Sequence, residues 1–180
     1  MPQPIRVLVG LSARGGPKII LERPKLAALL GAISAEWGDI DTIFSCIFNL
    51  ITFAKFIPIG AHSRSAFSSA VFEQSFTSYK SKIEVIKRII KLRYSKDILN
   101  EFERLTTVLL DKAPQRNKLI HCTWQICDDY PEDLIQIPNQ KWMRYTERDF
   151  NDTLNQSVQI RNDLNDFFVK LSHSQRLEDD

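Results

Sequence analysis

The chain has 180 residues, and its apolar (43%) and charged (26%) shares are those of an ordinary globular protein, which excludes disorder over the whole length. A net charge of +2 does not by itself mark a nucleic-acid binder. Three cysteines, Cys46, Cys122 and Cys127, are too few, and odd in number, for a secreted disulfide scaffold.

The N-terminus lacks a basic stretch followed by a sufficient apolar run, so no signal peptide is expected and the cytoplasm is the expected location. Residues 1–23 read differently from the rest. Ile5–Leu11 and Lys18–Leu21 are short β-prone runs around Ala13-Arg14-Gly15-Gly16, which fits either a hairpin or a mobile arm. From Leu26 the pattern turns helical. Leu26, Leu30, Ile33, Trp37, Ile40, Phe44, Ile47 and Ile51 recur at steps of three and four, one apolar stripe on one long helix. The stretch from Ile40 to Ile59 is the most apolar. Asp41, Asn49 and Lys55 interrupt it, so a buried helix is expected and no membrane span. Pro58 and Gly60 are expected to end it, with a loop over His62–Arg64.

A second helix is expected over Ala66–Phe76 and a third over Lys80–Tyr94, where Lys80, Glu84, Lys87 and Lys91 face away from Ile83, Ile86, Ile89 and Ile90. Seven basic residues run from Lys80 to Lys96, readable as a solvated face or as a surface that attracts phosphate. A fourth helix starts near Asp97 with Ile98, Phe102, Leu105 and Leu109 at core spacing. Pro114 either kinks it or opens a new helix at its favoured first position, with helical pattern to about Trp124. Pro131 and Pro138 flank the alternating Leu134-Ile-Gln-Ile, so a small hairpin pairing Trp124–Cys127 with Leu134–Ile137 is expected. Thr146 and Asp149 have capping-box spacing and open a last helix carrying Phe150, Leu154, Val158, Leu164, Phe168 and Leu171. The tail from Ser172 is polar and expected to fray.

The chemically pointed segment is Arg116-Asn117-Lys118-Leu119-Ile120-His121. Asn117 and His121 are four apart and share a helix face. Arg116 and His121 are five apart, about 140° around a regular helix, so they flank one side without stacking. Two such helices meeting across a symmetry axis would bring two arginines and two histidines together. If the helix runs through Pro114, Arg116 lies in line with Leu105 and Leu109, where a guanidinium needs an anionic partner such as Asp41 or a phosphate. If Pro114 opens a new helix, Arg116 and Asn117 sit in a first turn that itself favours an anion. Chance yields this Arg-Asn-x3-His pattern about 0.01 times in a chain of this composition. Arg161-Asn162 is the same dipeptide on a helix with no His in reach, so the dipeptide alone carries nothing.

Arg, then Asn, then His near the end of a helix resembles the signature of the HEPN superfamily. The context is similar from about residue 24 to 171: Trp37 with Asp41 one turn later on a long early helix, His121-x-x-Trp124, an irregular segment, and a closing helix opened by Tyr145-Thr146. The resemblance implies an all-α antiparallel helical bundle over 24–171, with an N-terminal arm or hairpin before it and a polar tail over 172–180. It implies dimerisation through the motif helices, and RNA as substrate for a metal-independent endoribonuclease of the toxin or phage-defence type, with an antitoxin or regulatory protein as partner. Members that lost activity bind nucleotides or proteins, which is the alternative reading. One toxin branch has Tyr two residues after the His. Here Thr123 stands there, so regulation at that tyrosine is not expected.

The implied chemistry is internal attack of the 2′-OH on its phosphate. Histidine titrates near neutrality and suits the proton transfers, so His121 is the expected acid/base. Arginine grips phosphate with two donors, so Arg116 is expected on the phosphate and Asn117 orients. Asp41 or Glu36 is expected to fix Arg116, and Lys87, Lys91 and Lys118 to draw in the RNA backbone. No cofactor and no metal are expected: His121, Cys122 and Cys127 lack a fourth ligand and zinc-like spacing. A plain helical interaction protein, with Arg116 and His121 as structural polar groups, is the remaining reading.

Overall fold

Periodic segments and capping signals become four long helices, and the chain's irregular parts gather into a small antiparallel sheet. The computed structural model describes residues 2–5, 12–16, 18–53, 70–138 and 141–174. In chain order it has β1 (Gln3–Ile5), β2 (Ala13–Gly15), a 3-10 turn (Ile19–Glu22), α1 (Pro24–Phe53), a helical stretch over 70–75, α2 (Tyr79–Arg93), α3 (Lys96–His121), β3 (Gln125–Cys127), β4 (Tyr130–Gln136), β5 (Trp142–Tyr145) and α4 (Glu147–His173). Among the described residues, no helix is long and apolar enough to cross a membrane. The expected stops at Pro58 and Gly60, the loop over His62–Arg64 and the start of a helix at Ala66 lie outside the described residues.

The chain divides into two units, Met1–Glu36 with Pro114–Val158, and Trp37–Ala113 with Gln159–Asp180. The boundaries fall inside helices, so no linker composition marks them.

The first unit holds the sheet, in the order β1-β5-β4-β3-β2. The hairpin of β3 and β4 forms, but β4 starts four residues earlier than expected and runs through Pro131, with Gln125 opposite Ile135, Cys127 opposite Tyr130 and a register shift between them. β5 was not foreseen; Leu134 to Gln136 pair with Tyr145 to Met143. The N-terminal expectation is corrected. β1 and β2 pair neither with each other nor hang free: β1 adds to β5 and β2 to β3, one at each edge. Backbone groups of β3 and β5 left open by the hairpin explain this, since each edge offers donors and acceptors that a passing segment satisfies. Ala13-Arg14-Gly15, placed between the two β-prone runs, is itself strand. Leu26, Leu30, Ile33, Leu119, Ile126, Leu134, Ile135 and Phe150 are buried here. Trp124 packs edge-on to Tyr145 at 5.1 Å and tilted to Phe150 at 5.6 Å.

In the second unit, Trp37, Ile40, Phe44, Ile47 and Ile51 continue the α1 stripe, each at most 1% exposed. Burying one such side chain contributes about 1.5–3 kcal/mol. Ile83, Ile86 and Ile90 of α2, Ile98, Phe102, Leu105 and Leu109 of α3, and Ile160, Leu164, Phe167 and Leu171 of α4 are buried with them. Phe168, placed on the apolar face by spacing, is only half-buried, and Phe167 takes the core position.

α4 opens as its sequence dictates. The Thr146 N–H donates to Asp149 Oδ2 (2.9 Å) and the Asp149 N–H to Thr146 Oγ1 (3.4 Å), a capping box with Asp in place of Glu.

Candidate functional site

α3 carries the motif and is continuous from Lys96 to His121, with Pro114 inside it. Pro114 is exposed, and the carbonyl its missing N–H leaves unserved belongs to Leu110, itself 40% exposed. This settles the two routes left open for Arg116. No new helix begins at Pro114, so no first turn supplies N–H groups for an anion. Arg116 continues the stripe of Leu105 and Leu109 and is half-buried, with its Nε sealed from solvent.

Arg116 Nη1 donates to Asn117 Oδ1 at 3.0 Å. Arginine only donates, so it meets the amide oxygen and turns Asn117 Nδ2 away from itself. The Asn117 amide is exposed. Asn117 is thus hydrogen-bonded to the guanidinium. His121, the last helical residue, is exposed, and no hydrogen bond among the described residues reaches its ring. The imidazole is open to solvent and to any molecule that comes to it. Lys118 is exposed between them.

A helix end exposes carbonyls that lack partners and carry partial negative charge. Two of them are answered here. Gln136 Nε2, on β4, donates to the Lys118 carbonyl at 3.3 Å, and Tyr145 Oη, on β5, donates to Gln136 Oε1 at 3.0 Å. The Cys122 Sγ–H donates to the Leu119 carbonyl at 3.5 Å. The sheet therefore holds the last turn of α3 through a two-step clamp. Burial pushes the Cys122 thiol up to about 11, which makes it a weak donor and an inert nucleophile. Burial, with Cys122 and Asp149 nearby, also holds the Tyr145 phenol above its ordinary range, so it stays a donor. Gln136, Tyr145 and Cys122 were not singled out in the sequence. Gln136 lies in the alternating Leu134–Ile137 run, and nothing local marks it as reaching a helix end.

Asp41 is corrected as a holder of Arg116. It accepts from Lys82 Nζ at 2.6 Å and from Tyr79 Oη at 3.0 Å, within the second unit. The reason is desolvation: the Lys82 side chain is only 9% exposed, lies near the rings of Phe72 and Tyr79, and requires a carboxylate. Glu36 is half-buried on α1 in the same unit as Arg116. Lys87 bridges to Glu103 at 2.7 Å, and that hydrogen bond and charge raise its pKa, so it is a neutralised cation rather than an open one. Lys91 is exposed, in the second unit with Lys87. Arg116, Asn117, Lys118 and His121 thus lie within the last two turns of α3, with Arg116 hydrogen-bonded to Asn117. Among the described residues no group of three or more His, Cys, Asp or Glu side chains is placed to hold a metal ion.

The chain matches no known family model, no curated protein and no solved structure.

Proposed function

We propose that this chain is a HEPN-like endoribonuclease effector of the toxin or phage-defence type, cleaving RNA without a metal through Arg116 and His121. The observation that carries the reading is the state of His121. It ends a helix whose last turn is clamped from the sheet, yet its own ring is exposed and unengaged among the described residues. A solvent-open imidazole has its ring nitrogens available for proton transfer to and from a substrate.

In the proposed reaction the ribose 2′-oxygen forms a bond to its own 3′-phosphorus as the bond to the 5′-oxygen breaks. One imidazole takes the 2′-hydroxyl proton and another gives a proton to the departing 5′-oxygen. A homodimer through the motif helices supplies the second imidazole. Arg116, oriented by Asn117, meets the charge that develops on the phosphoryl oxygens. Lys118 offsets the partial negative charge of the helix end, which otherwise disfavours phosphate. An antitoxin or regulatory protein is the expected partner.

The test is expression of wild type, His121→Ala and Arg116→Ala with growth and RNA integrity followed. Arrest and RNA breakage by wild type, lost in both folded variants, is the expected result. Equal toxicity of all three, or none from wild type, removes the nuclease reading.

A further inference from the structure

We propose that the cavity beside His121 is a nucleobase pocket walled by the N-terminal segment. This rests on the RNA reading above and adds a selectivity site to it. The cavity has a volume of about 410 Å³ and is lined by Gly16, Ile19 and Ile20 on one side and Cys122, Thr123 and Trp124 on the other. The second group follows His121 directly, and consecutive Cα atoms lie about 3.8 Å apart. A nucleotide whose phosphate meets the motif therefore has its base within reach of this cavity.

Both walls are fixed. Gly15 pairs with Gln125 across β2 and β3, and the Ile19 N–H donates to the Gly16 carbonyl at 3.2 Å. Trp124 is held by Tyr145 and Phe150. Among the described residues, no charged side chain lines the space. Of the acidic residues on the flanking segments, Glu22 and Asp128 both face Arg14, at 3.7 and 3.4 Å. An uncharged ring with polar edges suits such a place: Ile19, Ile20 and Trp124 offer apolar surface, and Thr123 an exposed hydroxyl. Half-buried Ile19 and Ile20 on a surface turn gain little from folding alone, and a base would cover them.

The experiment follows backbone amide shifts of the ¹⁵N-labelled full chain on titration with each of the four nucleoside 3′-monophosphates and with ribose 5-phosphate, which has no base. The expected result is that nucleotides, and not ribose 5-phosphate, shift the amides of Gly16, Ile19, Ile20, Cys122, Thr123 and Trp124. Thr123→Phe fills the cavity from an exposed position and is expected to abolish that response, with Ile20→Phe as a second filling variant. Silence of these amides toward all four nucleotides overturns the proposal. So does an equal response to ribose 5-phosphate, or an unchanged response in both folded filling variants. Arg116→Ala separates the two claims. A base response that persists there, with the phosphate-dependent shifts at Asn117 and Lys118 lost, supports both. Persistence of the phosphate shifts as well sinks the anion role of Arg116 and leaves the pocket standing.

Discussion

Replacing Asp41 by Ala removes the counter-charge from an ammonium that water barely reaches. The Lys82 side chain is 9% exposed and the Asp41 side chain 41%, with 2.6 Å between Nζ and Oδ1. Phe72 and Tyr79 rings remain at 5.9 and 5.8 Å, but a cation–π contact of about 0.5–2 kcal/mol does not replace a carboxylate. Breaking a fully buried pair from one side costs about 3–5 kcal/mol. Water reaches Asp41, so the cost here falls to about 2–3 kcal/mol. For a chain of this length that lowers Tm by about 4–12 °C. Lys82→Met instead removes the buried charge, fills the same apolar space, and leaves Asp41 hydrated and bonded to Tyr79. Its expected cost is under about 1 kcal/mol. The double variant is expected to recover most of the Asp41→Ala loss. Circular dichroism melts and urea titrations at neutral pH read all three. A counter-charge role for Asp41 is refuted if Asp41→Ala costs no more than Lys82→Met, or if the two losses simply add. Asp41→Ala combined with Arg116→Ala is expected to be additive, because Asp41 is committed elsewhere.

Gln136→Leu removes the donor to the Lys118 carbonyl and strands the Tyr145 hydroxyl; a loss of about 1–2 kcal/mol is expected in denaturant titration, with faster amide exchange over the last turn of α3. Thr146→Ala deletes the cap of α4 and is expected to cost about 1 kcal/mol, with Thr146→Ser close to wild type in the same assay. Cys46 is exposed, Cys127 is buried, and burial lifts the Cys122 thiol from 9.0 to about 11, so below pH 9 the Cys122 thiolate is about a hundredfold scarcer than an ordinary cysteine's. Iodoacetamide at pH 8, followed by mass spectrometry, is expected to label Cys46 first; prompt labelling of Cys122 contradicts its burial.

The helices were legible because each needs only local periodicity. Leu26 to Ile51 read as one stripe and are one buried face, and Thr146 with Asp149 read as a cap and are one. The sheet was legible where its partners are near in sequence, as in β3 and β4, and illegible where they are far. Gln3 pairs with Arg144 and Ala13 with Cys127, and no local pattern specifies a partner more than a hundred residues away. At the candidate site, the spacing of Arg116, Asn117 and His121 implied one helix, and all three lie on α3. Asp41 was misassigned because a carboxylate's partner is chosen by whichever buried cation needs it, and the burial of Lys82 is a tertiary fact. The Gln136–Tyr145 clamp was missed for the same reason.

The proposed role of the exposed imidazole at the end of α3 is proton transfer on RNA. The most direct measurement is the product end left by purified protein on a short single-stranded RNA, resolved by mass spectrometry, for wild type and His121→Ala. A 2′,3′-cyclic phosphate formed by wild type in the presence of a chelator, and at least a hundredfold more slowly by the variant, is the predicted result. An RNA left whole by wild type, or cut equally well by both proteins, contradicts it.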